Sequence, residues 1–179
     1  GAKAIAGDVG QDEETAKRRG TILHGLLEHL PLSPPSDHRS IAIALYGNQD
    51  GLSAETESLF AEAAALLNSE SLSHIFASAS LAEVELSACL PELSGRLVQG
   101  TIDRLIVTDN EVLAIDFKSN TTVPSRPEDV PDGILRQMGA YAAMLEQVYP
   151  DRPVTTAILW TKTCALMPLP PNIVREALA

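Results

Sequence analysis

At 179 residues the chain is long enough for one domain with a sizeable core, and a hydrophobic fraction of 45 % with a mean hydropathy of +0.04 describes a soluble globular protein. It holds no apolar run of membrane-span length, and its start lacks the basic-then-apolar order of a signal peptide. A net charge of −11 argues against a free-standing nucleic-acid binder. Two cysteines, Cys89 and Cys164, lie far apart without CxxC spacing. They suggest no disulfide framework, zinc site or iron-sulfur cluster, and point to a reducing, cytoplasmic setting.

Residues 1–15, "GAKAIAGDVGQDEET", are polar and aperiodic and are expected to form a linker or tail. From Lys17 the pattern turns helical, with Leu23, Leu26, Leu27 and Leu30 on one stripe and Pro31 to stop it. A second helix is expected over Arg39 to Tyr46. A third covers Ala54 to Asn68, with Ser53 as its cap and Glu57 as the acid of a capping box. Three strands follow, at 82–90, 95–108 and 111–119, joined by turns at "PELSG" and "TDNE". A helix at 132–149 presents Ile134, Met138, Tyr141, Leu145 and Val148 on one face, and "VTTAILWT" and "CALMPL" read as two more strands. The order predicts an α/β sandwich with a mixed sheet, because a strand reached through a helical crossover pairs most easily in parallel.

The strands at 95–108 and 111–119 carry charges where an apolar run would be expected. Residues two apart in a strand share a face, so Asp116 and Lys118 point together while Ile115 and Phe117 point away. The hairpin turns near Asp109 and Asn110, which brings Asp103 beside Asp116. Two buried carboxylates this close repel each other unless a cation lies between them. Mg2+ suits such a pair, because it takes hard oxygen ligands from one or two carboxylates, water and substrate phosphate. Lys118 beside them can orient an attacking water or offset phosphate charge. The plain alternative is a salt link between Asp116 and Lys118, against which stand Asp103 at the matching distance and the apolar strand around it.

"GTIDRL" followed by "DFK", with Asp103 thirteen positions before Asp116, resembles the D-x(n)-(D/E)-x-K core of the PD-(D/E)xK nuclease superfamily. "RGTILHGLLEHLP", "LAEVELS" and "LRQMGAYAAML", in that order around the core, are similar to the carboxy-terminal nuclease domain of AddA/RecB-type helicase-nucleases, from about Arg18 to Leu169. The resemblance implies a restriction-endonuclease-like α/β/α sandwich with a mixed central sheet and an N-terminal helical extension. The nuclease domain then occupies residues 16–179, with a helical part at 16–76 and the catalytic sheet and helix at 80–170. Asp103, Asp116, the Phe117 carbonyl and His24 look like ligands for Mg2+, for which Mn2+ can substitute, and Lys118 looks like the catalytic lysine. Gly20, one turn before His24, would leave room for the sheet or substrate.

Glu83 matches an upstream acid of the family. Glu85 stands where the family usually has proline, and alternation puts Glu83 and Glu85 on one face, so the sequence leaves open which of them belongs to the site. Gln137 and Tyr141, one helical turn apart, match a Q-x-x-x-Y motif that holds the scissile phosphate or orients the lysine. By the same likeness the expected activity is exonucleolytic cleavage of DNA during recombinational double-strand break repair. Single strands would be fed by a helicase motor working with an AddB-type partner subunit, with no membrane involved. A non-cleaving module of the same fold, binding DNA or a protein partner, is the alternative, and a stand-alone exonuclease is a third.

Overall fold

The four leucines of the stripe at 23–30 need a hydrophobic partner, and in the computed structural model they have one: Leu23, Leu26, Leu27 and Leu30 are all at most 1 % exposed. The structure describes the backbone of residues 2–179 and the side chains from Glu13 onward. It divides into a first unit ending at Ser69 and a second from Glu70 to Ala179.

The first unit contains α1 (Ala2–His29), α2 (His38–Tyr46) and α3 (Ala54–Asn68). Its core joins the leucine stripe of α1 to Ala42 of α2 and to Leu59, Ala63 and Leu66 of α3. Residues 2–15, expected as a linker or tail, lie inside α1. The stretch has no proline to break a helix and includes the good helix formers Ala, Lys, Gln and Glu, so its propensity prolongs a helix that the leucine stripe anchors. Residue 1 of that expected tail falls outside the described residues. Ser53 caps α3 as expected, its hydroxyl accepting from the Thr56 N–H at 3.2 Å. The capping box does not form. Thr56 occupies the position three beyond the cap, and the Glu57 carboxylate pairs with Arg39 at 2.6 Å instead. A side chain at Gly20 would meet open space; on α1 it is at Gly25 that one would have to displace the Tyr46 hydroxyl.

The second unit is a five-stranded sheet in the order β1 (Leu81–Leu90), β2 (Arg96–Val107), β3 (Val112–Lys118), β4 (Val154–Trp160) and β5 (Ala165–Leu169). β1 to β3 form the expected antiparallel meander, β4 joins β3 in parallel through helix α4 (Asp132–Val148), and β5 returns antiparallel. The β2–β3 turn is closed by Thr108, whose N–H bonds to the Glu111 carbonyl at 2.9 Å. Leu135, Met138, Tyr141, Ala142 and Leu145 of α4 pack into one core with Leu105, Ala114, Ile158 and Trp160 of the sheet. Val148, expected on that face, is the last residue of α4 and is 55 % exposed.

Helix α5 (Pro171–Leu178) has no counterpart in the sequence reading. It begins with proline at a position where the missing N–H costs nothing, and buries Val174 and Leu178 against α4. Residues 70–76, grouped in the sequence with the helical part, belong to the second unit. Phe76 packs there on Phe117 of β3, with ring centroids 6.0 Å apart.

The alternation of β2 is broken. Gly100 and Arg104 lie four apart, and an unbroken strand would show both on the same face. They are on opposite faces. Gly100 lies under the Tyr141 ring of α4, whereas the Arg104 guanidinium stacks 5.4 Å over Phe76, which packs against the face of β3 turned away from α4.

The ladder between β1 and β2 keeps its count across this point, pairing Ala82 with Arg104 and Val84 with Ile102. Both strands therefore change face together between those two pairs, at Glu83 and Asp103. Glu83 shows the distortion directly, with a φ of +50°. That conformation costs an ordinary side chain about 1–2 kcal/mol, and strained residues of this kind concentrate at functional sites.

Candidate active site

Carried one step past Arg104↔Ile115, the register of β2 and β3 sets Asp103 opposite Asp116. Both are buried, at 6 % and 5 % exposure. The Asp103 carboxylate accepts the Phe117 backbone N–H at 2.7 Å, which locks the two strands together where the backbone ladder ends. N–H and C=O of one strand residue point to the same edge. The Phe117 carbonyl therefore faces β2 as well, beside the carboxylates.

Carboxylate oxygens of Glu83 and Asp103 lie within 4.8 Å of each other. Glu85 instead pairs with Thr101 further along the β1–β2 ladder. The break in alternation thus sets Glu83, and not Glu85, beside Asp103.

Burial pushes the Asp116 carboxyl up to about 6. The Asp103 charge adds to the rise, and the Lys118 ammonium, 2.9 Å from Asp116 Oδ2, opposes it. Asp116 Oδ2 is buried and accepts no hydrogen bond of good geometry, so its contact with Lys118 is one of charge and distance. Such an oxygen, in a set of hard carboxylate donors around a backbone carbonyl, fits a divalent cation of the Mg2+ or Mn2+ kind.

Lys118 is held from its other side. Its ammonium reaches Gln137 Oε1 on α4 in a long contact of 3.4 Å. Gln137 Nε2 donates to the Tyr141 hydroxyl at 3.0 Å, and that hydroxyl donates to the Thr101 carbonyl of β2 at 3.0 Å. Each donor in this chain meets an acceptor, and a flipped Gln137 amide would set its NH2 against the ammonium. Burial, with the charges of Asp116 and Asp103, raises the Tyr141 phenol to about 12, so it stays protonated and able to donate. At the end of β3 the Thr161 N–H and hydroxyl both donate to the Lys118 carbonyl, at 2.9 and 3.3 Å.

Six of the residues singled out in the sequence, together with the Phe117 carbonyl, meet within the second unit: Glu83, Asp103, Asp116, Lys118, Gln137 and Tyr141. His24 stands half-buried on α1 of the first unit.

The profile of the PD-(D/E)XK nuclease superfamily matches residues 3–176. The chain belongs to this superfamily. Its mixed five-stranded sheet with helices is the restriction-endonuclease-like α/β fold. A relative, the A subunit of the ATP-dependent helicase/nuclease of Desulforamulus reducens, is 25 % identical over 167 residues, an alignment that takes in 82 % of this chain and 13 % of that protein. The chain thus spans about an eighth of the relative's length. A solved structure, SSO0001, shares 14 % identity over 87 % of this chain and 71 % of its own, at a TM-score of 0.36.

Two residues bonded to this cluster carry no signal in the sequence that would have singled them out. Thr161 reads only as the last residue of a strand, although a hydroxyl beside a parallel pair is a ready clamp for the neighbouring carbonyl. Thr101 enters through its backbone carbonyl, for which the side-chain sequence carries no signal. Among the described residues no helix is long and apolar enough to cross a membrane.

Proposed function

We propose that the chain is the nuclease domain of an AddA-type helicase-nuclease, and that it hydrolyses DNA phosphodiester bonds exonucleolytically with Mg2+ as cofactor. The observation that carries this reading is the buried pair Asp103 and Asp116 with Lys118 at its edge, in a chain matched by the nuclease family over nearly its whole length. DNA ends in double-strand break repair are the proposed substrate, reached as single strands through a helicase motor with an AddB-type partner in the cytoplasm. The likeness to part of a helicase/nuclease supports that setting. The chain's own acidity fits it too, since other parts of such a complex would hold the DNA.

Asp103, Asp116, the Phe117 carbonyl and His24 are the proposed ligands. When bound, the cation would polarise the scissile phosphate and stabilise the departing oxygen. Asp103 and Asp116 must be ionised to hold it, a condition that the raised Asp116 carboxyl meets above about pH 6. Lys118, released from offsetting the Asp116 charge, is then placed to orient an attacking water or to face a phosphate oxygen. Gln137 keeps its ammonium from swinging to solvent. Little covalent chemistry is asked of the protein, whose part is positioning and charge.

The test is cleavage of end-labelled single-stranded DNA by wild-type protein and by Asp116→Ala, each with Mg2+, Mn2+ or EDTA. Cleavage by the wild type alone, lost in EDTA, is expected. Equal cleavage by Asp116→Ala would end the assignment, and no cleavage by the full helicase complex would favour a binding module of the same fold.

A further inference from the structure

Gly100 sits on β2 where the hydrogen-bond chain from Lys118 ends. Its neighbour Thr101 supplies the carbonyl that receives the Tyr141 hydroxyl, and the Tyr141 ring lies directly over the glycine. A Cβ built at Gly100 would be 2.6 Å from Tyr141 Cε1, with Cδ1 and Cζ at 3.5 Å. Ordinary carbon contacts begin near 3.5–4 Å, so any side chain at this position would push the ring outward by roughly 1 Å.

The backbone itself does not ask for glycine here. Gly100 is not among the residues with positive φ, and it pairs regularly with Leu86. A strand interior otherwise disfavours glycine, by roughly 0.5–1 kcal/mol relative to alanine. What the missing side chain provides is space for Tyr141, and Tyr141 cannot retreat without cost. It is 5 % exposed, its ring packs in the core between sheet and α4, and its hydroxyl is tied at once to Thr101 and to Gln137.

Resting on the nuclease reading, we infer that Gly100 is a positioning residue of the active site, acting through Tyr141 and Gln137 to hold the Lys118 ammonium beside Asp116. The bare position lets the tyrosine ring press onto the strand. The hydroxyl then stands at the height of the Thr101 carbonyl, the Gln137 amide is fixed by the hydroxyl, and the amide oxygen receives the lysine. Displacement of the ring breaks the first of these bonds and loosens the rest in turn.

The experiment is a pair of double-mutant cycles. In single-stranded DNA cleavage with Mg2+, Gly100→Ala is expected to lower kcat about 10- to 100-fold, the scale of a 1 Å misplacement, with KM little changed because substrate contacts remain. In a Gln137→Ala background, where the chain is already cut, the same change is expected to add less than about twofold. In thermal unfolding, Gly100→Ala should lower the midpoint while Tyr141 is present, and leave it unchanged or raise it beside Tyr141→Ala. Wild-type cleavage with an unaltered Gly100→Ala rate, or equal losses with and without Gln137, would overturn the inference alone. So would the same midpoint shift in both Tyr141 backgrounds. Absence of wild-type cleavage would overturn the nuclease reading, and the inference with it.

Discussion

Asp103 and Arg104 are neighbours on β2 and are almost equally buried, yet the two faces of the sheet receive them differently. On the face turned from α4, the Arg104 guanidinium donates to Ser80 Oγ at 3.0 Å and stacks over Phe76. Ser80 in turn donates to the Ile75 carbonyl at 2.5 Å. This charge meets a hydroxyl acceptor and a ring, the kinds of partner a buried structural charge needs. On the other face, Asp103 meets further carboxylates, Asp116 and Glu83, and the cation at the edge of that group, Lys118, keeps part of its side chain in solvent. A buried charge set among opposite or polar partners serves the fold. A buried charge set among its own kind is held at the fold's expense, and points to a ligand.

The sharpest test of that contrast is to exchange the outcomes. Asp116→Ala is expected to lower metal-dependent cleavage by about a thousandfold or more, the several kcal/mol that a lost ligand removes. Its metal-free thermal midpoint should stay level or rise as the repulsion with Asp103 goes. Arg104→Met should do the reverse. A loss of about 2 kcal/mol in denaturant unfolding is expected from the missing charge-assisted bond and ring contact, with cleavage of the folded fraction retained. Equal losses of stability in both variants would erase the distinction between the faces.

The proton on Asp116 offers a subtler probe. An unfolded Asp titrates near about 4, while the folded carboxyl is raised to about 6. Below the lower value both states are protonated and this group's contribution is fully kept; it is lost as pH rises through 6. Metal-free stability should therefore fall between about pH 4 and pH 6, and Asp116→Asn should remove that slope in urea titrations. Cation affinity runs the other way, because the ligand must be ionised. It should weaken about tenfold for each unit below pH 6, measurable as a shrinking Mg2+-induced rise in the midpoint of unfolding. The smallest expected effect concerns the break in alternation. Glu83→Gly and Glu83→Ala delete the same carboxylate, but glycine accepts the positive φ freely. The glycine variant should be the more stable by about 1 kcal/mol, and identical midpoints would mean that β1 relaxes once the acid is gone.

Much of this was legible in the chain itself. The meander and the pairing of Asp103 with Asp116 follow from period-two patterning and the placing of one hairpin turn, and the parallel return follows from the helical crossover. That Glu83 rather than Glu85 lies beside Asp103 was not legible, because it depends on two strands changing face together without inserting a residue, and regular alternation is the assumption that fails there. α5 was missed because eight residues that start on the second of two prolines carry too short a pattern to stand out. The helical character of residues 2–15 was hidden by two glycines and a lack of hydrophobic period. The role of Gly100 lies in what its absent side chain permits, and only the position of Tyr141 shows it.

Trp160 is the only tryptophan in the chain. It is 1 % exposed, and it pairs across the parallel ladder with Lys118 while packing under α4. The domain therefore carries its own optical reporter at the one place where it is most useful. Indole emission responds to the polarity and packing of its surroundings, so intrinsic fluorescence should follow the seating of the helix over the lysine as cation or DNA arrives. No dye or engineered label would be needed, and none of the residues proposed for the chemistry would have to be altered to watch it.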